Sequence, residues 1–330
     1  MKHIFISLLV VVALSSCSKD EPREPYSNEG TIRIYTGVEA PGSKAVISAA
    51  TGMSEAAFVA KEGTVSPMND FSGGTFYKGA VEATSGKVTF SGTAPGYNVN
   101  DNNTYFVAYY PAQTLAGDVA TWPINGYTDI MITNTIWDAG RYSSPHTGAT
   151  GAKLNFNHQL SQVEVVCKAE AGSAHSVVKA AWGRITAIEF LAAPTTLTYT
   201  LTTVPTVTAT GSAAFAMLKS YSNTGNTFDP IDIPANGNVS VNAVAMLYPV
   251  APTASESFRL KVYTEGPAGG SAIAVEVPVD LGASQAGMVR GQTHKVTLSF
   301  SSDTRYISAS ATTIDNWQDG ASGDSGIIKP

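Results

Sequence analysis

The sequence has few charged residues: they occupy 14% of its 330 positions, against roughly 25% in an average globular protein. Long exposed helices and coiled coils are built largely from Glu, Lys and Arg, so this composition argues against them. Disorder requires low hydrophobicity with high net charge, whereas here 43% of the residues are hydrophobic and the formal charge is −6. With 20 Lys and Arg against 26 Asp and Glu, the chain also lacks a basic footprint, so we expect no nucleic-acid partner.

Catalytic and metal-binding motifs are also missing. The chain contains no His-x-x-x-His, Cys-x-x-Cys or Gly-x-Ser-x-Gly pattern. His158 and His294 fall in phase with apolar strand neighbours, which favours packed histidines with a hydrogen-bond partner. We therefore predict a protein that is not an enzyme, with no catalytic residue, metal or cofactor. A surface hydrolase stays open as an alternative, because a glycosidase-type carboxylate pair is close in space rather than in sequence.

The first residues have the features of a lipoprotein signal peptide. Met1 and Lys2 form a short cationic start, and the apolar run Ile4–Leu14 has the length of a signal-peptide core but is too short to span a bilayer. Two serines then precede Cys17, as a lipoprotein signal peptidase requires. We predict that residues 1–17 are the signal peptide and that acylated Cys17 anchors the mature chain in the outer membrane. The alternative is an ordinary secretory signal with a chance cysteine.

The residues after Cys17 indicate on which side of the outer membrane the mature protein lies. Ser18, Lys19, Asp20 and Glu21 resemble the surface-export signal of lipoproteins from bacteroidete-type Gram-negative bacteria. The resemblance implies a protein on the outer face of the outer membrane, with residues 18–30 as a tether. Only Cys167 remains besides Cys17, so no intramolecular disulfide is expected once Cys17 is acylated.

The rest of the chain predicts strands from end to end. Segments rich in Val, Ile, Thr, Tyr and Phe alternate with Gly, Pro, Asn and Ser clusters, without a long helical pattern between them, which is typical of antiparallel sandwiches. The predicted strands are Thr31–Tyr35, Lys87–Phe90, Thr104–Tyr110, Ile130–Thr133, Leu154–Val166, Arg184–Phe190, Val239–Tyr248, Ser257–Tyr263, Ala272–Val279 and Gln292–Phe300.

One predicted strand changes phase along its length. In Leu154–Val166 the apolar residues occupy even positions up to Leu160 and odd positions from Val163. A shift of one residue moves side chains to the other face of a sheet, so we predict a bulge or a crossing between sheets near Ser161. The preceding residues are rich in Ser, Thr, Gly and Pro, and we place a domain boundary there, between an N-terminal domain of residues 31–152 and a C-terminal domain of residues 153–330.

Four short sequence motifs, three of them in the predicted strands, carry a family resemblance. They are LNFNHQLSQVEV at 154–165, GQTHKVTLSF at 291–300, IDNWQDG at 314–320 and YFVAYYP at 105–111. Taken in their order along the chain, these segments resemble the strands and the near-terminal tryptophan of the fimbrillin family. The resemblance implies an all-β protein with two transthyretin-like antiparallel β-sandwich domains after a lipoprotein signal peptide. It also implies a pilus subunit that lies at the cell surface and in extracellular fimbriae and functions in adhesion.

The family's processing step implies roles for residues near the N-terminus. In that family a surface protease cuts after a basic residue that follows the first strand, which removes the lipid anchor and that strand. Thr31–Tyr35 would be the displaced strand, with Ile32 and Ile34 filling the groove beforehand. Lys44, followed by Ala45, occupies the expected cleavage position, and Arg33 is a second candidate inside the strand. A subunit that is not processed would stay anchored as a base or accessory subunit.

Polymerisation would use the C-terminal end. The resemblance implies that other pilin subunits are the partners and that a strand from the C-terminal region fills a neighbour's groove, as β-strand addition. The candidate groove-filling residues are Ile307, Ile314, Trp317, Ile327 and Ile328. Their alternative role is to close the C-terminal domain's own sheet. The sequence does not specify the ligand to which such a pilus would adhere. An alternative function is that of a surface glycan-binding lipoprotein, which would use the aromatic cluster Trp122, Tyr127, Trp137 and Tyr142.

Overall fold

The computed structural model describes residues 31–38, 52–64, 68–83, 85–98, 100–145, 154–202, 204–222, 225–253, 256–281, 287–302 and 306–316. The strands are β1 Thr36–Val38, β2 Met53–Gly63, β3 Thr75–Val81, β4 Val88–Phe90, β5 Asn103–Tyr110, β6 Val119–Pro123, β7 Met131–Thr133, β8 Trp137–Asp138, β9 Gly140–Arg141, β10 Ser144–Pro145, β11 Leu154–His158, β12 Ser161–Ala169, β13 Arg184–Ala193, β14 Thr196–Thr200, β15 Thr206–Thr210, β16 Ala213–Ala216, β17 Ile231–Asp232, β18 Ala243–Leu247, β19 Phe258–Thr264, β20 Ile273–Val279, β21 Gln292–Phe300 and β22 Ile307–Asn316. A short helix, α1 His175–Trp182, precedes β13.

The N-terminal half is an eight-stranded sheet whose central strands are buried on both faces. The strand order is β1-β11-β7-β5-β2-β3-β4, with β8 also paired to β5. Side chains alternate between the faces of a strand. In β5, Phe106 and Ala108 belong to one apolar cluster, while Tyr105, Val107 and Tyr109 belong to a second. The sheet therefore closes around a core of its own and packs on the rest of the molecule with its other face.

A three-stranded sheet joins the two halves of the chain. Its order is β15-β14-β6, so β6 from the N-terminal half pairs with β14 from the C-terminal half. The Tyr109 ring lies edge-on to Trp122 of β6 at 5.4 Å and to Tyr199 of β14 at 6.0 Å. The chain from Thr31 onward forms one compact unit.

The C-terminal half packs two sheets around a shared core. A four-stranded sheet has the order β18-β12-β21-β22, and a five-stranded sheet has the order β16-β13-β19-β20 with β17 paired to β13. Both contribute to one apolar cluster, in which the Phe190 and Phe258 rings stack at 4.9 Å. Helix α1 closes one end, since Trp182 packs edge-on against Phe300 and donates its Nε1–H to the Ser301 carbonyl at 2.6 Å. Within the described ranges, no helix combines the length and apolar character needed to cross a bilayer.

The fold class predicted from the sequence is confirmed. The protein is all-β and built from several sheets whose pairings are antiparallel, apart from the parallel pairs β1–β11 and β12–β21 among those described. The predicted strands Gln292–Phe300 and Ala272–Val279 match β21 and β20 to within one residue. The regular part of the first strand begins at Thr36 rather than at Thr31, because residues 31–35 make isolated bridges instead of a continuous ladder.

The predicted change of phase marks a crossing between sheets. β11 belongs to the eight-stranded sheet, and two residues later β12 enters the four-stranded sheet. Its side chains alternate anew from Ser161, which explains why the apolar residues switch from even to odd positions. The boundary between 31–152 and 153–330 stays a prediction, and β11 lies with the N-terminal sheet.

Candidate functional site

Residues 31–38, which we call the first segment, lie between the two ends of the N-terminal sheet. Ile32 and Ile34 are each 1% exposed, while Thr31 and Arg33 face solvent. This alternation is that of an extended chain with one face on a core. The two isoleucines belong to the same apolar cluster as Phe58, Phe106 and Phe156 of the central strands. The other members are Met53, Ala56, Ala60, Val81, Val88, Ala108, Tyr110, Met131, Trp137, Ala139 and Leu154.

The first segment is hydrogen-bonded to both edges of the sheet. On one side, Ile32 N–H donates to the Pro95 carbonyl at 2.8 Å, and Val88 N–H donates to the Ile34 carbonyl at 3.0 Å. On the other side, β1 pairs in parallel with β11, in the register Thr36 to Leu154. The segment therefore satisfies backbone groups of β11 and of residues 86–96, and its removal would uncover two sheet edges together with the apolar core.

Gly86 lies directly against the first segment. Thr36 N–H donates to the Gly86 carbonyl at 2.8 Å, and the Thr36 hydroxyl donates to the same oxygen at 3.3 Å. Gly86 has φ +68°, and a Cβ there would lie 2.0 Å from the Thr36 carbonyl oxygen. Only glycine fits this position without displacing the strand. The sequence shows a Ser-Gly turn here, but nothing in it indicates that the turn abuts the first strand.

The two candidate cleavage residues differ in their setting. Arg33 is exposed, but it lies between buried Ile32 and Ile34 in the hydrogen-bonded segment. Lys44 lies outside the described residues, as do Cys17 and the export signal Ser18, Lys19, Asp20 and Glu21.

The C-terminal candidates lie on and beyond β22. This strand is the edge of the four-stranded sheet and pairs antiparallel with β21. Ile307 is 2% exposed and belongs to the C-terminal core, and the backbone of Ile314 pairs with His294. In this structure Ile307 closes its own sheet, as one of the two predicted roles requires. Trp317, Ile327 and Ile328 lie outside the described residues.

The two tryptophans of the alternative aromatic platform are buried. Trp122 is 2% exposed and donates its Nε1–H to the Pro111 carbonyl at 2.9 Å, and Trp137 is 4% exposed and packs on Phe106. Both rings are buried in apolar cores because β6 and β8 are sheet strands rather than loops. Tyr142 is exposed and Tyr127 is partly buried, so the four rings do not present a shared surface.

The two strand histidines are packed, as the sequence predicts. His158 Nδ1 lies 2.8 Å from Asp129 Oδ2, with both side chains buried. His294 accepts a hydrogen bond from Val289 N–H at 3.2 Å, and burial lowers its pKa to about 4. Throughout the part of the chain that the structure describes, no group of three His, Cys, Asp or Glu side chains is arranged to hold a metal ion.

Comparisons with known proteins agree with this architecture. A model of a family described as fimbrillin-like matches residues 55–317. A proposed cell adhesion protein from Bacteroides uniformis superposes with a TM-score of 0.56 at 18% identity, covering 88% of this chain and 100% of that one. A second, from Parabacteroides distasonis, gives a TM-score of 0.56 at 7% identity, covering 89% and 99%. A third, from Bacteroides ovatus, gives 0.51 at 14% identity, covering 87% and 97%. No curated protein matches the chain.

Proposed function

Because the chain belongs to the fimbrillin-like family, we propose that it is a structural pilus subunit at the cell surface rather than an enzyme. Its partners are other pilin subunits, and its role is to build a fimbrium used in adhesion. The all-β fold fits this role, since hydrogen-bonded sheets can exchange strands between subunits.

Export and processing use the N-terminal residues. Cys17 is acylated and anchors the precursor in the outer membrane, with Ser18, Lys19, Asp20 and Glu21 directing it to the outer face. A surface protease then cuts the chain and releases it from the lipid. Several acyl chains give stable anchoring, so this cut is required before the subunit can leave the membrane.

Strand exchange is supported by one observation above all: the first segment is bonded to both edges of the N-terminal sheet. Ile32 and Ile34 fill the core between residues 86–96 and β11. Fully burying such a side chain contributes about 1.5–3 kcal/mol. A groove emptied of the segment exposes apolar side chains and unpaired backbone groups, and an incoming strand restores both. Head-to-tail contacts of this kind build filaments when they do not close on themselves.

The position of the cut decides whether the groove is emptied. Cleavage after Arg33 would leave Ile34 and β1 in place, with the hydrogen bonds of Thr36 and Leu154 intact. Cleavage after Lys44 would detach the whole first segment. Proteases also require an extended chain free of sheet pairing, and Arg33 is flanked by bonded residues. We therefore assign processing to Lys44.

The experiment compares cleavage and assembly in matched variants. The purified protein, begun after Cys17, is incubated with a trypsin-like protease, and its mass and filaments are followed by mass spectrometry and electron microscopy. We expect wild type and Arg33→Gln to be cut near Lys44 and to form filaments, while Lys44→Gln stays uncut and monomeric. Both variants remove one positive charge, so their difference reports position alone.

Two outcomes would contradict this assignment. Filaments from uncut Lys44→Gln would show that the first segment need not leave, and cleavage after Arg33 with assembly would move the site. A protein that resists the protease and stays monomeric would indicate an anchor or accessory subunit instead of a stalk subunit.

A further inference from the structure

A cleft with a volume of about 930 Å³ lies where the N-terminal sheet meets the C-terminal half. Its size is within the range of small-molecule sites. Its apolar lining includes exposed Val204 and partly buried Ile136, Pro205 and Val207, together with the buried residues Val107, Ile132 and Tyr199. The polar side chains that line it include the amides of Asn134, Asn157 and Gln292.

Arg290 gives the cleft its charge. It is the one arginine or lysine among the lining residues, and in the described part of the chain no aspartate or glutamate lines the cleft. No ion pair of the described residues includes Arg290. Asp129, behind the lining residue His158, is already bonded to that imidazole at 2.8 Å. A guanidinium that has no carboxylate partner among the described residues suits an anionic ligand.

Neutral groups hold the Arg290 side chain in place. One guanidinium nitrogen donates to Gln159 Oε1 at 2.9 Å, and another donates to the Tyr248 hydroxyl. The guanidinium carbon also lies 4.8 Å from the centre of the Tyr248 ring, a cation–π arrangement. Gln159 is oriented in turn, because its Nε2 donates to the Asn157 carbonyl at 2.8 Å.

The backbone around Arg290 is fixed as well. The Ser161 hydroxyl donates to the Val289 carbonyl at 2.6 Å, and Gly291 N–H donates to the Leu160 carbonyl at 2.8 Å. His294, fully buried, accepts from Val289 N–H. A charged group on a turn held by hydrogen bonds loses little conformational entropy when it binds a ligand. Recognition sites are preorganised in this way.

We propose that this cleft binds an acidic sugar residue, whose carboxylate pairs with Arg290 while its ring lies against the apolar lining and its hydroxyls meet the amide side chains. A carboxylate matches the planar guanidinium, and a pyranose ring matches a surface that combines apolar and hydrogen-bonding groups. The whole protein carries a formal charge of −6, so non-specific anion binding is disfavoured and local recognition is required. This site is independent of strand exchange and does not use the aromatic cluster Trp122, Tyr127, Trp137 and Tyr142.

The test titrates the purified protein with four probes by isothermal titration calorimetry. Glucuronate and N-acetylneuraminate are the two acidic sugars, glucose is the neutral sugar, and acetate is the carboxylate without a ring. We expect at least one acidic sugar to bind about tenfold or more tightly than glucose, which lacks the charge-assisted pair, and than acetate, which lacks the ring and its hydroxyls. Which acid binds better distinguishes a uronate-containing polymer from a sialylated surface as the source.

Three variants complete the test. Arg290→Gln should remove the preference for the acid, and Val204→Glu, which places a carboxylate at an exposed lining position, should weaken acid binding about tenfold without touching Arg290. Arg259→Gln removes the same charge from an exposed pair with Glu256 outside the cleft, and should bind like wild type. The proposal is overturned if neither acid exceeds glucose and acetate, or if Arg290→Gln binds the acid as wild type does.

Discussion

At the scale of single residues, His294 links the stability of the fold to pH. Burial lowers its pKa to about 4, whereas an exposed histidine titrates near 6.5. The unfolded chain therefore binds a proton more readily between these values, so stability is full above about pH 6.5 and falls as pH decreases toward 4. A difference of this size corresponds to a loss of up to about 3 kcal/mol.

The measurement is urea unfolding of wild type and His294→Gln between pH 6.5 and 5, where few carboxylates titrate. We expect the free energy of unfolding to fall as the pH decreases in wild type and to fall less steeply in the variant. His175→Gln, which removes an imidazole exposed on α1, is measured alongside as the control for loss of a histidine. Equal slopes in all three proteins would show that His294 is not the titrating group.

At the scale of elements, the fit between Gly86 and the first segment is open to a direct test. In Gly86→Ala the new Cβ would meet the Thr36 carbonyl oxygen, whereas in Gly117→Ala it would meet nothing within 4 Å. Both glycines have positive φ, +68° and +63°, so both variants carry similar backbone strain. We expect Gly86→Ala to lose roughly 1–3 kcal/mol more stability than Gly117→Ala, as overpacking does, when both are measured by chemical denaturation.

The same pair of variants separates two ways of assembling. The atom that clashes is a backbone oxygen, which any strand in this groove supplies regardless of its sequence. If a neighbour's strand replaces the first segment, processed Gly86→Ala should polymerise more slowly than processed Gly117→Ala. Equal rates of filament growth would show that the incoming strand does not follow the path of residues 31–38.

The C-terminal donor is a further element with its own test. Because β22 closes its own sheet and Ile307 lies in the core, truncation should begin after Asn316, where that strand ends. A protein lacking residues 317–330 should fold with wild-type stability but form no filaments after processing. Filaments of normal length from the truncated protein would exclude Trp317, Ile327 and Ile328 as donor residues.

Elements with regular alternation are the ones that the sequence predicts well. β19 and β21 alternate apolar and polar residues because one face meets the core and the other meets water, and both were predicted within one residue. β2 was not predicted, since its Ala56–Ala60 stretch is buried on both faces and carries small residues without alternation. β6 and β14 escaped prediction for another reason: their pairing joins residues more than seventy positions apart, which no local pattern encodes.

The candidate site residues show the same difference between local patterns, which the sequence reveals, and long-range contacts, which it does not. Ile32 and Ile34, which the family resemblance implies are groove-filling residues, are both buried, and the phase change near Ser161 correctly marks a sheet crossing. The contact of Gly86 with Thr36 and the cleft around Arg290 depend on long-range packing, so the sequence contains no signal for them. Gly, Asn and Pro surround Trp122 and Trp137 in the sequence, a composition typical of loops, yet short strands bury both rings.

At the scale of the whole molecule, the contacts between the two halves would transmit force along a filament and would couple the unfolding of one half to that of the other. In a filament assembled as proposed, tension enters a subunit at the groove around residues 31–38 and leaves it near β22. Between these points lie the β6–β14 pairing and the ring contacts of Tyr109 with Trp122 and Tyr199. One apolar cluster runs through both halves, so we expect them to unfold together.

Tyr199→Ala tests this coupling, because the Tyr199 ring is 2% exposed on β14 and faces Tyr109 of the other half. Removing a buried aromatic ring costs about 3–5 kcal/mol. We expect one calorimetric transition in wild type and in Tyr142→Ala, whose ring is 61% exposed, and two resolved transitions in Tyr199→Ala. Hydrogen exchange should show β5 and β21 opening with equal free energies in wild type and with unequal ones in the variant. Two transitions already present in wild type would mean that the halves fold independently, and the filament would then extend under load by unfolding the weaker half first.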